Sequence, residues 1–306
     1  MSVAVHQSAA AMKKWHGLLA VAGLIAAYGY GVVSYAFRLF PVEQISLLKQ
    51  AVVPDDGRDL DLAVYSDTNG REAVSCWSID PDAAVILAMG QSNAGNYGES
   101  RYRPVQQVFN FNWVDGKCYR AEDPLLGSTG DRGSVWTRLG DALVESNRFK
   151  QVVIVPIAVG GSSVRDWAGP HGPAQRAVQA QQALSRIGLH ITHVLWHQGE
   201  ADHLMHKDVY SRLFAHMTEY IRSQGITAPV FVATATICNN TGADQIREAQ
   251  RELPYKLANV YAGPDTDALD SIYDRRDNLC HFSDRGLALH ARMWRDVILR
   301  YLEARG

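Results

Sequence analysis

A serine and a histidine able to share a proton stand about 190 residues apart in this chain: Ser92 in GQSNAGNYG (residues 90–98) and His281 in RRDNLCHFSDRG (residues 275–286). A serine hydroxyl is a weak nucleophile until an imidazole accepts its proton and an acid fixes the imidazole tautomer. Asp277, four residues before His281, is the nearest carboxylate on its N-terminal side; Asn278 and Glu200 are the alternatives for orienting the ring. Two further segments offer hydrogen-bond donors to a developing oxyanion: AVGGSSVRDW (158–167) carries the N–H of Gly161, and WHQGEAD (196–202) carries the side-chain amide of Gln198. With the N–H of Ser92 these make three donors. Taken singly, Ser92 reads equally well as an N-capping serine in a glycine turn.

These segments need a scaffold that brings them to one edge. Apolar runs at 83–89, 152–159, 192–196 and 228–236 read as strands. They alternate with helical patterns at 134–147, 173–188, 209–224, 243–253 and 283–304. That alternation predicts a parallel sheet covered by helices on both faces, with ligands bound beyond the carboxyl ends of its strands. The glycine turns follow the first and second runs and the Gln198 segment follows the third. Around Asn69-Gly70 the pattern predicts a small antiparallel hairpin ahead of the first parallel strand.

Taken together, GQSNAGNYG, AVGGSSVRDW, WHQGEAD and NLCHFS resemble, in order, the four blocks of the SGNH hydrolases, in the branch of sialate O-acetylesterases and acetylxylan esterases. GSVWTRLGDAL (133–143) and PDTDAL (264–269) resemble connecting segments of the same branch. The resemblance implies an α/β fold, a three-layer α/β/α sandwich with a central parallel sheet (SGNH/flavodoxin-like). It also implies cofactor- and metal-independent hydrolysis of O-acetyl esters on carbohydrates through an acyl-serine. It carries Ser92 over as nucleophile, Gly161 and Gln198 as oxyanion donors and His281 as base. The family's acid sits three residues before the histidine, where this chain has Asn278; a bulged loop would let Asp277 reach the ring instead. The same site could pass an acetyl group to a sugar hydroxyl, as an O-acetyltransferase, or bind sugar without turnover.

Glu200 and Asp202 read as supports of their loop, through backbone N–H groups or Arg165, and not as an acid-base pair. Tyr97, Trp167 and Trp196 are candidates for lining a sugar cleft, with a core role the competing reading. The histidines of 193–206 lack metal-ligand spacing, so no metal site is expected there.

Composition sets the outer limits. With 47% hydrophobic and 20% charged residues and a formal net charge of -2, the chain is globular and has no basic face for nucleic acid. Residues 17–37 contain no charged side chain and are long enough to span a bilayer. Lys13 and Lys14 before the run favour a cytoplasmic N-terminus, 1–16, and an extracytoplasmic domain, periplasmic or extracellular. A cleaved signal peptide, cut near Ser34-Tyr35-Ala36, competes with the anchor and would leave the domain secreted. Residues 38–58 read as a stem and 59–306 as the catalytic domain. In an oxidising compartment the four cysteines would pair, Cys238 with Cys280 beside the histidine and Cys76 with Cys118 as the remainder.

Overall fold

The computed structural model describes residues 23, 26–30, 60, 62–277 and 279–305. The chain divides into two compact units, Met1–Arg58 and Asp59–Gly306. Of the first, residues 23 and 26–30 are described, and they are helical. Among the described residues no helix is long and apolar enough to cross a membrane; the expected span at 17–37 otherwise lies outside them.

The second unit is a mixed α/β fold around an eight-stranded sheet. Its strands are β1 (Ala73–Val74), β2 (Ala84–Gly90), β3 (Val108–Asn112), β4 (Lys117–Arg120), β5 (Val152–Pro156), β6 (His193–His197), β7 (Val230–Thr234) and β8 (Val260–Asp265). They lie in the order β1-β4-β3-β5-β2-β6-β7-β8. From β3 across to β8 every pairing is parallel, whereas β4 and β1 join the β3 edge antiparallel. The sheet is therefore mixed and not wholly parallel as expected. The turn at Asn69-Gly70 forms, but its arms do not pair, because Tyr65 exchanges backbone hydrogen bonds with Gly127 and Ser128. The antiparallel hairpin is β3–β4 instead, with Gly116 in its turn at φ +71°.

Alternate side chains of β2 enter two separate cores, as the two-residue period of a strand requires. Val85, Leu87 and Met89 pack with helices α3 (Ala174–Ser185), α4 (Lys207–Ser223) and α5 (Asp244–Lys256). Ala84, Ile86 and Ala88 pack with α1 (Val135–Glu145) and α6 (Asp284–Glu303), through Trp136, Leu139, Trp294 and Ile298. A short helix, α2 (Val164–Trp167), follows β5, and a two-residue hairpin, β9 (Arg275–Arg276) with β10 (His281–Phe282), precedes α6.

β2 lies between β5 and β6: the chain leaves β2 toward β3 on one side, and the β5-to-β6 connection passes to its other side, a reversal of direction that marks the carboxyl ends of these three strands as the place for a ligand. The ends approach so closely that a Cβ on Gly90, at φ +129°, would lie 2.0 Å from the His197 carbonyl oxygen. Glycine there is a steric requirement.

Candidate active site

β2 ends at Gly90 and the chain turns at once into a single 3-10 turn, Ser92–Ala94, with all three residues buried. Gln91 anchors the turn to the segment after β6: its Oε1 accepts from the Ala201 N–H at 3.0 Å and from the Gln198 amide at 3.3 Å. The Trp136 indole donates to the Ala94 carbonyl at 2.6 Å from the other side. Two layers thus hold Ser92 through its neighbours, the side chain of Gln91 and the backbone of Ala94.

Asn93 points across to two other blocks. Its Nδ2 donates to Glu200 Oε1 at 2.8 Å and to the carbonyl of Cys280 at 3.0 Å. The residue after Ser92 is thereby bonded to the residue before His281. Tyr97 stacks on the His281 ring, centroids 5.4 Å apart and planes 24° from parallel. A Cβ on Gly160 would lie 2.3 Å from the Tyr97 hydroxyl, so the first glycine after β5 makes room for the ring that backs the histidine.

His281 Nδ1 lies 3.2 Å from Asp277 Oδ2. Asp277 and Leu279 are both left-handed, at φ +51° and φ +62°. Arg276 forks the same carboxylate, Nε to Oδ2 and Nη2 to Oδ1, both at 3.0 Å. Burial alone would raise the Asp277 pKa, but the hydrogen bonds from Arg276 and His281 outweigh it and hold the group below the usual carboxylate range. Burial lowers the His281 pKa, and the cations Arg276 and Arg275 add to that, against the opposing pull of Asp277. The imidazole is thus predisposed to the neutral form that can accept a proton. Asn278 lies outside the described residues.

Gly161 sits at φ +71° at the exposed tip of the turn after β5, with nothing within 4 Å of where a Cβ would be. Gln198 differs from expectation. The residue has no exposed surface, and its Nε2 donates to Asp202 Oδ2 at 2.6 Å and to the Ser162 carbonyl at 3.2 Å, while its Oε1 accepts from the Tyr210 hydroxyl at 3.1 Å. The reverse amide orientation would set its oxygen against the Asp202 oxygen, so the assignment is fixed by its neighbours. Its amide hydrogens are committed within the protein, and Gln198 ties two loops together where the sequence suggested an oxyanion donor.

Asp202 completes that tie, accepting from Ser163 Oγ at 2.5 Å and Val164 N–H at 2.8 Å, so the loop support runs through a backbone N–H and not Arg165. Glu200 is buried, which pushes its pKa up to about 7; it bonds Asn93, not His281. Trp167 and Trp196 have no exposed surface and pack edge to face at 5.3 Å, as core aromatics. Among the described residues no three His, Cys, Asp or Glu side chains are grouped to hold a metal ion. Cys238 is bonded to Cys280, and Cys76 to Cys118.

Residues 82–298 match the family described as carbohydrate esterase, sialic acid-specific acetylesterase. The chain belongs to this family. It is a carboxylic ester hydrolase. It is 30% identical over 224 residues to a probable carbohydrate esterase of Arabidopsis thaliana, an alignment covering 64% of this chain and 84% of the relative. The crystal structure of that Arabidopsis protein superposes with a TM-score of 0.61, covering 72% of this chain and 99% of the other. Identity is 18% across that longer structural alignment, a likeness of fold. A carbohydrate acetylesterase from Xanthomonas citri aligns at a TM-score of 0.40 and 18% identity, covering 70% of this chain and 56% of that one.

Two residues of this carbohydrate esterase were not singled out by sequence reasoning, although both stand inside the quoted blocks: Asn93 in GQSN and Arg275 in RRDN. Arg275 is 2% exposed and donates to the carbonyls of Leu269, Ile237, Thr266 and Cys280. Arg275 has no sequence signal, because what its side chain binds is backbone; Asn93 divides its amide between the Cys280 carbonyl and the Glu200 carboxylate.

Proposed function

We propose that the protein hydrolyses short acyl esters, O-acetyl groups on carbohydrates, through an acyl-serine at Ser92. Ser92 Oγ attacks the ester carbonyl while His281 Nε2 takes its proton. The oxyanion is met by the N–H groups of Ser92 and Gly161. The tetrahedral intermediate collapses with transfer of that proton to the departing sugar oxygen, and water activated by the same nitrogen then releases acetate and restores Ser92. Asp277 accepts from His281 Nδ1–H and stabilises the transient imidazolium.

The observation that carries this reading is the Asn93 to Cys280 hydrogen bond at 3.0 Å, which joins the neighbour of Ser92 to the neighbour of His281. Family membership supports the ester and carbohydrate part. A fluorophosphonate probe is expected to label the wild-type enzyme at Ser92 and to leave Ser92→Ala unlabelled, with loss of acetate release from an acetylated glycan. Full acetate release by Ser92→Ala would overturn the assignment.

We also propose that the domain works in an oxidising compartment outside the cytoplasm, tethered through residues 17–37. The pairing of all four cysteines as two disulfides supports it. Protease added to spheroplasts is expected to digest the domain; complete protection in spheroplasts, lost on lysis, would contradict this.

A further inference from the structure

We propose that Arg275, acting with Asn93, fixes the plane of the Cys280–His281 peptide and so aims the imidazole at Ser92. The inference rests on the roles given above to Ser92 and His281 and assigns to Arg275 and Asn93 the positioning of the base.

A peptide group is planar, so the Cys280 carbonyl and the His281 N–H turn together. Whatever holds the carbonyl therefore sets the direction in which the His281 side chain leaves the backbone. Two donors converge on that one oxygen: Asn93 Nδ2 at 3.0 Å and Arg275 Nη1 at 2.9 Å. A carbonyl oxygen has two lone pairs, and both are taken. One donor belongs to the residue after Ser92, so the angle of His281 is referenced to the serine turn itself. The other belongs to a guanidinium anchored elsewhere, through Nε to the Leu269 carbonyl at 2.5 Å and Nη2 to the Thr266 carbonyl at 2.9 Å.

The guanidinium is an expensive part to use for this. It is buried, and desolvation lowers its pKa. All of its hydrogen bonds end on neutral carbonyls, while the charges that favour it, Glu200 and Asp267, act at longer range. A buried charge without a directly bonded counter-ion is unfavourable. A neutral donor could staple the loops after β7 and β8. Only a planar fork reaches the Leu269, Ile237, Thr266 and Cys280 carbonyls at once with fixed angles. Its face lies on the Phe282 ring, 4.3 Å from the centroid, so the residue after His281 is held by the same group as the residue before it.

The test uses the full chain with Arg275→Lys, Asn93→Ala, the double variant and Ser92→Ala. Initial rates on 4-nitrophenyl acetate are normalised to folded protein by circular dichroism. Each single variant is expected to lower kcat by roughly 10- to 100-fold with KM within about twofold, the scale of a misdirected catalytic group. The double variant is expected to lose little more than the worse single one, because both donors act on one carbonyl. Wild-type kcat per folded molecule in both single variants would overturn the proposal, as would losses that multiply independently. If Arg275→Lys does not fold, Asn93→Ala decides alone: a fall in kcat at unchanged KM supports the proposal, and an unchanged kcat overturns it. Activity retained in Ser92→Ala would instead overturn the serine mechanism on which the proposal stands.

Discussion

The Ser92 turn and the His281 loop meet in one site but are built in opposite ways. The turn grows from the end of a seven-residue, fully buried strand in the middle of the sheet, and its shape follows from backbone contacts such as Gly90 against His197. The histidine stands on a two-residue strand just after two left-handed residues, Asp277 and Leu279, with a side chain one-fifth exposed. It is held from outside by Asn93, Arg275, Asp277, Tyr97 and a cystine. The proposed nucleophile is therefore placed by the fold, and the proposed base by side chains that could be exchanged one at a time. Substitutions around His281 should change rate with modest effects on folding, while those around Ser92 should either remove chemistry or disturb the sheet.

The comparison is broken most directly by Ser92→Ala, which is expected to lower kcat by about 10⁴- to 10⁶-fold with little change in Tm. A large fall in Tm would show that the turn depends on the hydroxyl as well as on the backbone. Asp277→Asn should come next, with a loss of about 10²- to 10⁴-fold in kcat. It should also move the acid limb of the kcat/KM profile. The wild-type limb is expected below pH 6.5, because burial and two arginines favour neutral His281, with activity falling as pH drops through the His281 pKa. Removing the anion takes away the main opposing influence, so the limb should shift to still lower pH.

The two disulfides sharpen the contrast, since each spans the same separation of 42 residues. Chain entropy assigns each about 4 kcal/mol of stability. Replacing either pair by serine should therefore lower stability to denaturant by a similar amount, but only the Cys238–Cys280 pair should also lower kcat per folded molecule. Equal effects on kcat would erase the distinction between the regions.

A pH titration of Tm separates site from scaffold. Burial lowers the His193 pKa to about 4 and that of His197 to about 3. Between these values and an unfolded value near 6.5 the unfolded chain binds more protons than the folded one. Both contributions are thus intact above pH 6.5 and lost as pH falls below it, and Tm should decline through that range. The decline should be shallower in His193→Phe, provided the phenyl ring fills the place stacked against Phe231. The smallest expected effect is that of Leu279→Gly, which relieves a left-handed leucine at φ +62° and should change stability by no more than about 1 kcal/mol.

Much of this was legible in the sequence where the physics is local. Strands β2, β5, β6 and β7 announce themselves as continuous apolar runs because they are buried on both faces. β3 does not, since Asn110 and Asn112 are buried within it; Asn110 bonds the backbone of Leu126. β8 is obscured by Gly263 and Pro264, which an edge strand tolerates. The blocks that carry Ser92 and His281 could be read, and the carboxylate four residues before His281 does lie beside the ring. The direction of the Gln198 amide could not be read, because Asp202 and Tyr210 decide it from other elements. Arg275 was hidden by its partners: a carbonyl oxygen is present at every residue and distinguishes none.

The Cys238–Cys280 bond also gives the enzyme a history. A newly made chain has no such bond, and its histidine lacks one restraint that the finished molecule has. Oxidation of one pair of thiols therefore separates the folded polypeptide from the fully competent catalyst, so esterase activity should lag behind folding and follow thiol pairing in time.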